Sequence, residues 1–351
     1  MNSRYSFVPD ANTGRLTEDD TKKYISRLFW AVAIFEVVGF AVTYLLALAV
    51  SALCTAVNPA LLDSGSFVSV ANHLISMLST YCVGLPVFCI ITSVLPSVTP
   101  KKKKMGAKSW ILGLCVCFAF MYIGNYISTI VLQMLESMLN ISTTNPLDTI
   151  MAESNVIIDV VFIVIVAPIL EEIFFRKIVC DRLLPLGEGY AIVLSALIFG
   201  LGHGNFYQFA YSFLVGFIFA LVYVKTGKLA YSIVYHVIFN LVGAVLVPYL
   251  IKIADLEKTI ELLYSESPSE EELVAAFERM IPYAVYALIY LAAVIIGTVA
   301  LLKAVRMRRI RFARGELAPF EKKKVTTVLC TVGMAASITV YAAIFVMSLV
   351  Q

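Results

Sequence analysis

Charge is what this chain has least of. Asp, Glu, Lys and Arg make up only 15% of its 351 residues, against 60% that are hydrophobic, where a soluble domain carries about 45–50% apolar residues. With a mean hydropathy of +0.88, the composition excludes an ordinary soluble globular domain and calls for a polytopic membrane protein. The net charge of +3 is small and its basic residues fall in short loops, which removes nucleic acid from the partners and turns Lys and Arg into orientation signals. The N-terminus, polar through Lys23, lacks an apolar core followed by a small-residue cleavage site, so no removable signal peptide is expected. The seven cysteines form no C-x-x-C spacing, which leaves them as small buried hydrophobes rather than a metal or redox framework. No internal repeat is evident, so an inverted-repeat transporter has no support in the pattern. Histidine is scarce as well: His73, His203 and His236 are all there are.

What is present is a series of apolar stretches of a length that crosses a bilayer, about 17–25 residues each. They lie near 28–53, 74–97, 110–135, 156–184, 189–206, 208–225, 229–251, 281–303 and 325–349. The fold class is therefore all-α: a polytopic transmembrane bundle of eight or nine helices around a central polar cavity. Basic residues cluster in alternate loops, Arg4 to Lys23, Lys101 to Lys108, Lys177 with Arg182, Lys225 with Lys228, and Arg306 to Lys324, whereas 54–66, 137–154 and 252–280 carry very few. The positive-inside rule then sets the N-terminus in the cytoplasm and Gln351 outside, and the expected location is the cytoplasmic membrane of a bacterium. Three blocks follow: 1–154 with three helices, 155–252 with a catalytic core of four, and 253–351 with two more helices behind an acidic outer hairpin. In that hairpin, Ser269 followed by Glu272 reads as a capping box opening its second piece. Asn140-Ile-Ser142 matches a glycosylation acceptor triplet, a pattern too common to carry weight.

The chemistry concentrates in Glu171-Glu172-Ile-Phe-Phe-Arg176. Ionisable groups inside an apolar helix are costly and mark a site or its support. Glu172 and Arg176 are one turn apart and can pair, while Glu171 is rotated by roughly 100° and needs another partner. Pro168, just upstream, predicts a kink or widening beside the acidic pair. Residues 185–189, Pro-Leu-Gly-Glu-Gly, form a tight turn, and counting about 16 residues each way from Gly187 reaches Glu171 and His203 at similar depth. His203 ends the run Phe199-Gly-Leu-Gly-His203, and His236 shares a helix face with Asn240. His73, beside Asn72, is expected at the membrane interface, and Glu36 and Asp159 are expected to serve polar neighbours.

These three ordered motifs, Glu171-Glu172 to Arg176, Phe199 to His203 and His236 to Asn240, resemble the CAAX prenyl endopeptidases of type II and their bacterial relatives, the CPBP or Abi family of intramembrane glutamic proteases. The resemblance covers roughly 155–250. It departs at Lys177, where bacterial members often have Gly, a difference of surface character more than of catalysis. The resemblance implies that Glu171 is the general base on a water, that His203 helps hold that water, and that His236 and Asn240 donate to the developing oxyanion. Glu172 and Arg176 would balance charge and fix the helix, and Phe199 would support the histidine motif. The implied substrate is a peptide bond in a membrane-associated or lipidated protein or a small peptide precursor, cut in a cavity reached from the cytoplasm or the lipid.

Two rivals stay open. Zinc held by Glu171, His203 and His236 is one, weakened because H-E-x-x-H is absent; otherwise no cofactor is expected. The other is a non-proteolytic scaffold, an immunity protein or a proton-coupled transporter using the same polar cluster. Bacterial relatives are associated with bacteriocin or signalling precursors, or with self-immunity, but no prenyl-binding groove is legible and oligomeric state is not indicated.

Overall fold

A computed structural model describes residues 16–145, 156–265, 268–317 and 330–349. All nine apolar stretches contain helix. In chain order they are α1 Glu18–Val57, α2 Gly65–Ile91, α3 Ala107–Leu139, α4 156–183, α5 Glu188–Leu201, α6 Phe206–Thr226 and α7 229–254, followed by the short α8 Leu256–Leu263, then α9 Glu270–Arg306 and α10 Val332–Met347. Among the described residues, six helical segments are long and apolar enough to cross a membrane. α5 and α10 are shorter, and α4 is interrupted by wide π-helical turns at Val160–Val166 and Ile173–Cys180. The widening expected from Pro168 thus occurs on both sides of the acidic pair.

Helix ends follow local chemistry. Thr17 caps α1 and Asn205 caps α6, each side-chain oxygen accepting from the backbone N–H three residues on, Asp20 and Gln208. Gly187, with φ +129°, makes the turn between α4 and α5 that a side chain would strain. Gly227, with φ +61°, closes α6 where a Cβ would lie 2.4 Å from Pro100 O. Asn140 of the glycosylation triplet is the left-handed C-cap of α3. The Ser269–Glu272 capping box forms with both of its bonds. It does not open a separate hairpin arm, however, because α9 runs without a break for 37 residues through Pro282 to Arg306. Both expected helical pieces are present and in contact, α8 and the start of α9, but the second continues directly into a membrane-length helix.

The lysine-bearing loops gather at one end of the bundle. Val98 N–H donates to Asp181 O, Lys103 N–H to Thr226 O, Glu188 N–H to Ala313 O and Leu317 N–H to Pro185 O. Asp181 ties this end together: it accepts from Thr99, Lys177 and Tyr223, each at 2.7 Å. Lys177, the departure from the family motif, is half-exposed in that network. Above this basic end lies the main core, built from Tyr24, Leu28, Phe88, Val179, Leu183 and Ile192 among others.

Candidate active site

α4 carries the acidic pair into the middle of the bundle, and the two carboxylates meet different surroundings. Glu172 and Arg176 are fully buried and joined twice, Nε to Oε2 at 3.0 Å and Nη2 to Oε1 at 3.2 Å. Arg176 Nη1 also donates to Ser195 Oγ at 2.9 Å, and Ser195 in turn donates to Phe175 O at 2.8 Å. The guanidinium lies 5.0 Å from the Phe199 ring centre, a cation–π position. A charge removed from water needs this full set of partners. Glu171 is different. Its side chain, 25% exposed, opens into a cavity of about 920 Å³.

That cavity is lined by Glu171, His203, His236 and Asn240 together. His236, buried on α7, reaches both carboxylates: Nε2 is 3.7 Å from Glu171 Oε2 and Nδ1 is 3.4 Å from Glu172 Oε1, the latter too poorly aligned for a hydrogen bond. His203, at the turn after α5, sets Nδ1 2.9 Å from Phe199 O. When Nδ1 donates there, the lone pair is on Nε2. Phe199 meets both imidazoles edge-on, 5.0 Å from His203 and 5.5 Å from His236, so one buried ring positions two histidines and the arginine.

Asn240 Nδ2 donates to Ile163 O at 2.8 Å. The reason lies in α4: in the π-helical turn the donor to Ile163 O would come from residue 168, and proline has none. Asn240 supplies the missing bond and joins α7 to α4 beside the site, keeping one amide hydrogen for other use.

The floor of the cavity, toward the basic end, is a run of phenylalanines. Phe35 stacks on Phe174 at 4.7 Å, Phe174 meets Phe175 at 4.8 Å, and Phe175 meets Phe199 at 5.0 Å. Sequence reasoning did not find this floor, since Phe35 is remote in the chain from Phe174, Phe175 and Phe199. It also did not find that His73 lines the cavity, with its ring 5.1 Å from Phe162. All three histidines of the chain therefore face one space. Glu36 serves a polar neighbour as expected, accepting from Tyr341 at 2.8 Å, and lines the cavity too. The side chain of Asp159 lies outside the described residues.

Among the described residues, no group of three His, Cys, Asp or Glu side chains is gathered closely enough to hold a metal ion. Glu171, His203 and His236 thus share a cavity without forming a ligand set, and no step below is routed through a metal.

Residues 153–242 match the family model described as type II CAAX prenyl endopeptidase Rce1-like. The chain is also 36% identical over 107 residues to the membrane-embedded CAAX protease MroQ of Staphylococcus aureus (strain USA300), a match that takes in 28% of this chain and 42% of that relative. The chain thus spans less than half the length of the curated relative. No solved structure matches.

Proposed function

We propose that the chain is a membrane protease of the CAAX type that its core at 153–242 resembles, and that it hydrolyses a peptide bond inside the membrane with a water activated by Glu171. The observation that carries the reading is the division of labour between neighbours: Glu172 is fully buried and saturated by Arg176, while Glu171 faces the cavity with His236 Nε2 at 3.7 Å.

The chemistry follows from that arrangement. Glu171 takes a proton from a water held between it and an imidazole, and the hydroxide so formed attacks the scissile carbonyl. His203, held through Nδ1 at Phe199 O, offers Nε2 to orient that water. The oxygen of the tetrahedral intermediate acquires negative charge, and donors fixed beforehand stabilise it by a few kcal/mol each. His236 and the second amide hydrogen of Asn240 supply them. Glu171 then returns its proton to the leaving amine. Glu172 and Arg176 take no part in proton transfer; they hold the π-helical turn that aims Glu171. The substrate class in this reading is a membrane-associated or lipidated protein or a small peptide precursor.

The test is cleavage of candidate peptides by purified protein in nanodiscs, wild type against Glu171→Ala, with the chain's folded state checked by its melting transition. Cleavage by the wild type and none by the variant supports the reading. Undiminished cleavage by a folded Glu171→Ala protein overturns it.

A further inference from the structure

The cavity spans the middle of the bundle and extends toward one end of it. On α2 its wall runs from His73 to Tyr81, on α3 from Met121 to Glu136, on α6 from Tyr207 to Phe219 and on α7 from His236 to Val247. On α3 and α6 the stretch is displaced toward the helix end opposite the lysine-bearing loops, and on α2 and α7 it is centred in the helix. The other direction is closed twice, first by the phenylalanine floor and then by the network around Asp181. Tyr24 seals the same end, its hydroxyl donating to Arg182 O. The polar lining therefore extends from Glu171 toward the far end of the bundle, as far as Glu136 and Asn145, rather than toward the lysine-bearing loops. Under the positive-inside rule the lysine loops are cytoplasmic and that far end is extracytoplasmic, which departs from the access from the cytoplasm that the resemblance implies.

The α3 wall has a pattern of its own. Asn125, Ser128, Thr129, Gln133 and Glu136 follow one another at the three- and four-residue spacing of a single helix face, and all of them line the cavity. A polar stripe on an otherwise apolar helix is costly unless water or a ligand meets it. Ser128 marks the point. Its Oγ is buried, with the residue 5% exposed, and makes no hydrogen bond, whereas neighbouring Thr129 satisfies itself on Asn125 O at 3.0 Å. The stripe ends at Glu136, whose Oε1 accepts both the N–H and the hydroxyl of Thr143; Oε2 has no hydrogen bond among the described residues. The charge balance of the lining is one-sided: Glu36, Glu136 and Glu171 face the cavity, and among the described residues no Lys or Arg does.

We infer that the polar face of α3 is the recognition wall for the substrate, and that it receives an extended peptide segment from the extracytoplasmic end with a Lys or Arg side chain against Glu136. The backbone of an extended segment presents donors and acceptors at regular intervals, which is what Ser128, Gln133 and Asn125 can meet. A cationic side chain compensates the acidic mouth, and a carboxylate there is repelled. The inference specifies the substrate and its route for the reading of Glu171 as the catalytic base and rests on that reading, but its tests do not depend on turnover.

The first arm is binding. A fluorescent nonapeptide with two lysines, and its counterpart with glutamates in their place, are titrated against Glu171→Gln protein in nanodiscs. The lysine peptide is expected to bind at least about tenfold more tightly, and Glu136→Lys is expected to reverse the order. Glu136→Gln, which keeps the shape and loses the charge, should abolish the preference without lowering the melting temperature. Equal binding of the two peptides, or a preference that survives Glu136→Lys, overturns the inference even where the wild type cleaves peptides. A preference that tracks residue 136 in a protein that cuts nothing leaves the wall standing and removes the protease reading.

The second arm is the side of loading. Gln133→Cys in intact cells should react with a membrane-impermeant maleimide above the level set by the native thiols, while Lys102→Cys should react only after permeabilisation. The opposite pattern overturns the assigned route.

Discussion

His236 Nε2 lies 3.7 Å from Glu171 Oε2 while the other nitrogen of the same ring lies 3.4 Å from Glu172 Oε1. One imidazole therefore senses both carboxylates of the pair, the one that is closed off and the one that faces the cavity. Because Arg176 already saturates Glu172, the ring is held near the pair by packing against Phe199 and Phe219 rather than by a strong bond. It remains available to whatever enters the cavity.

Breaking the buried pair should be costly. Arg176→Ala leaves Glu172 as an uncompensated buried charge, and the expected loss of stability is about 3–5 kcal/mol. Replacing both members, as Glu172→Gln with Arg176→Met, should recover most of it. Melting temperatures of the three proteins in nanodiscs check this, and a double variant as unstable as Arg176→Ala would contradict it.

Phe199 is expected to matter through position. The ring touches both imidazoles and the guanidinium, and a Cβ added at Gly216 would come within 2.6 Å of its Cδ1. Gly216→Ala should push the ring toward the site, costing about 1–3 kcal/mol of stability and lowering kcat more than it raises KM. Steady-state kinetics on a cleaved peptide separate the two effects. A change in KM alone would assign the ring to binding.

Asn240→Ala should remove the bond that satisfies Ile163 O, at a cost of about 1–3 kcal/mol. Asn240→Asp keeps the size but turns a donor into an acceptor facing a carbonyl, and it should be at least as damaging. Thermal melts rank the variants. Equal stability of wild type and Asn240→Ala would show that Ile163 O finds another donor.

The contact of α9 with α3 depends on Gly297, where a Cβ would fall 2.0 Å from Cys115 O. Gly297→Leu should separate these helices and lower the melting temperature, with cleavage reduced only as far as the folded fraction falls. Activity per folded molecule is the measurement, and a loss beyond unfolding would tie α9 to catalysis.

Much of this was legible in the residues themselves. The nine apolar stretches, the i,i+4 pair of Glu172 with Arg176 and the capping box at Ser269 are local features, and local spacing finds them. His203 was placed by counting from Gly187, which works because a tight turn makes two helices antiparallel. Other features required contacts distant in sequence. The place of His73 in the cavity lining was not found because nothing near it in the chain reveals Phe162. Ser195 as the third partner of Arg176, and Phe35 as part of the floor, are likewise set by helix packing alone. The continuity of α9 was missed because its acidic start was read as an outer hairpin apart from the apolar stretch at 281–303, although a long helix carries both.

The central claim is that the carboxylate at 171, and not its neighbour, takes the proton from water. The turnover number of Glu171→Gln, measured on a peptide the wild type cleaves and at equal folded fraction, tests it most directly. The account expects a fall of roughly 10²–10⁴-fold; a Glu171→Gln enzyme that keeps its turnover within about tenfold of wild type, well short of what loss of a general base costs, would contradict it.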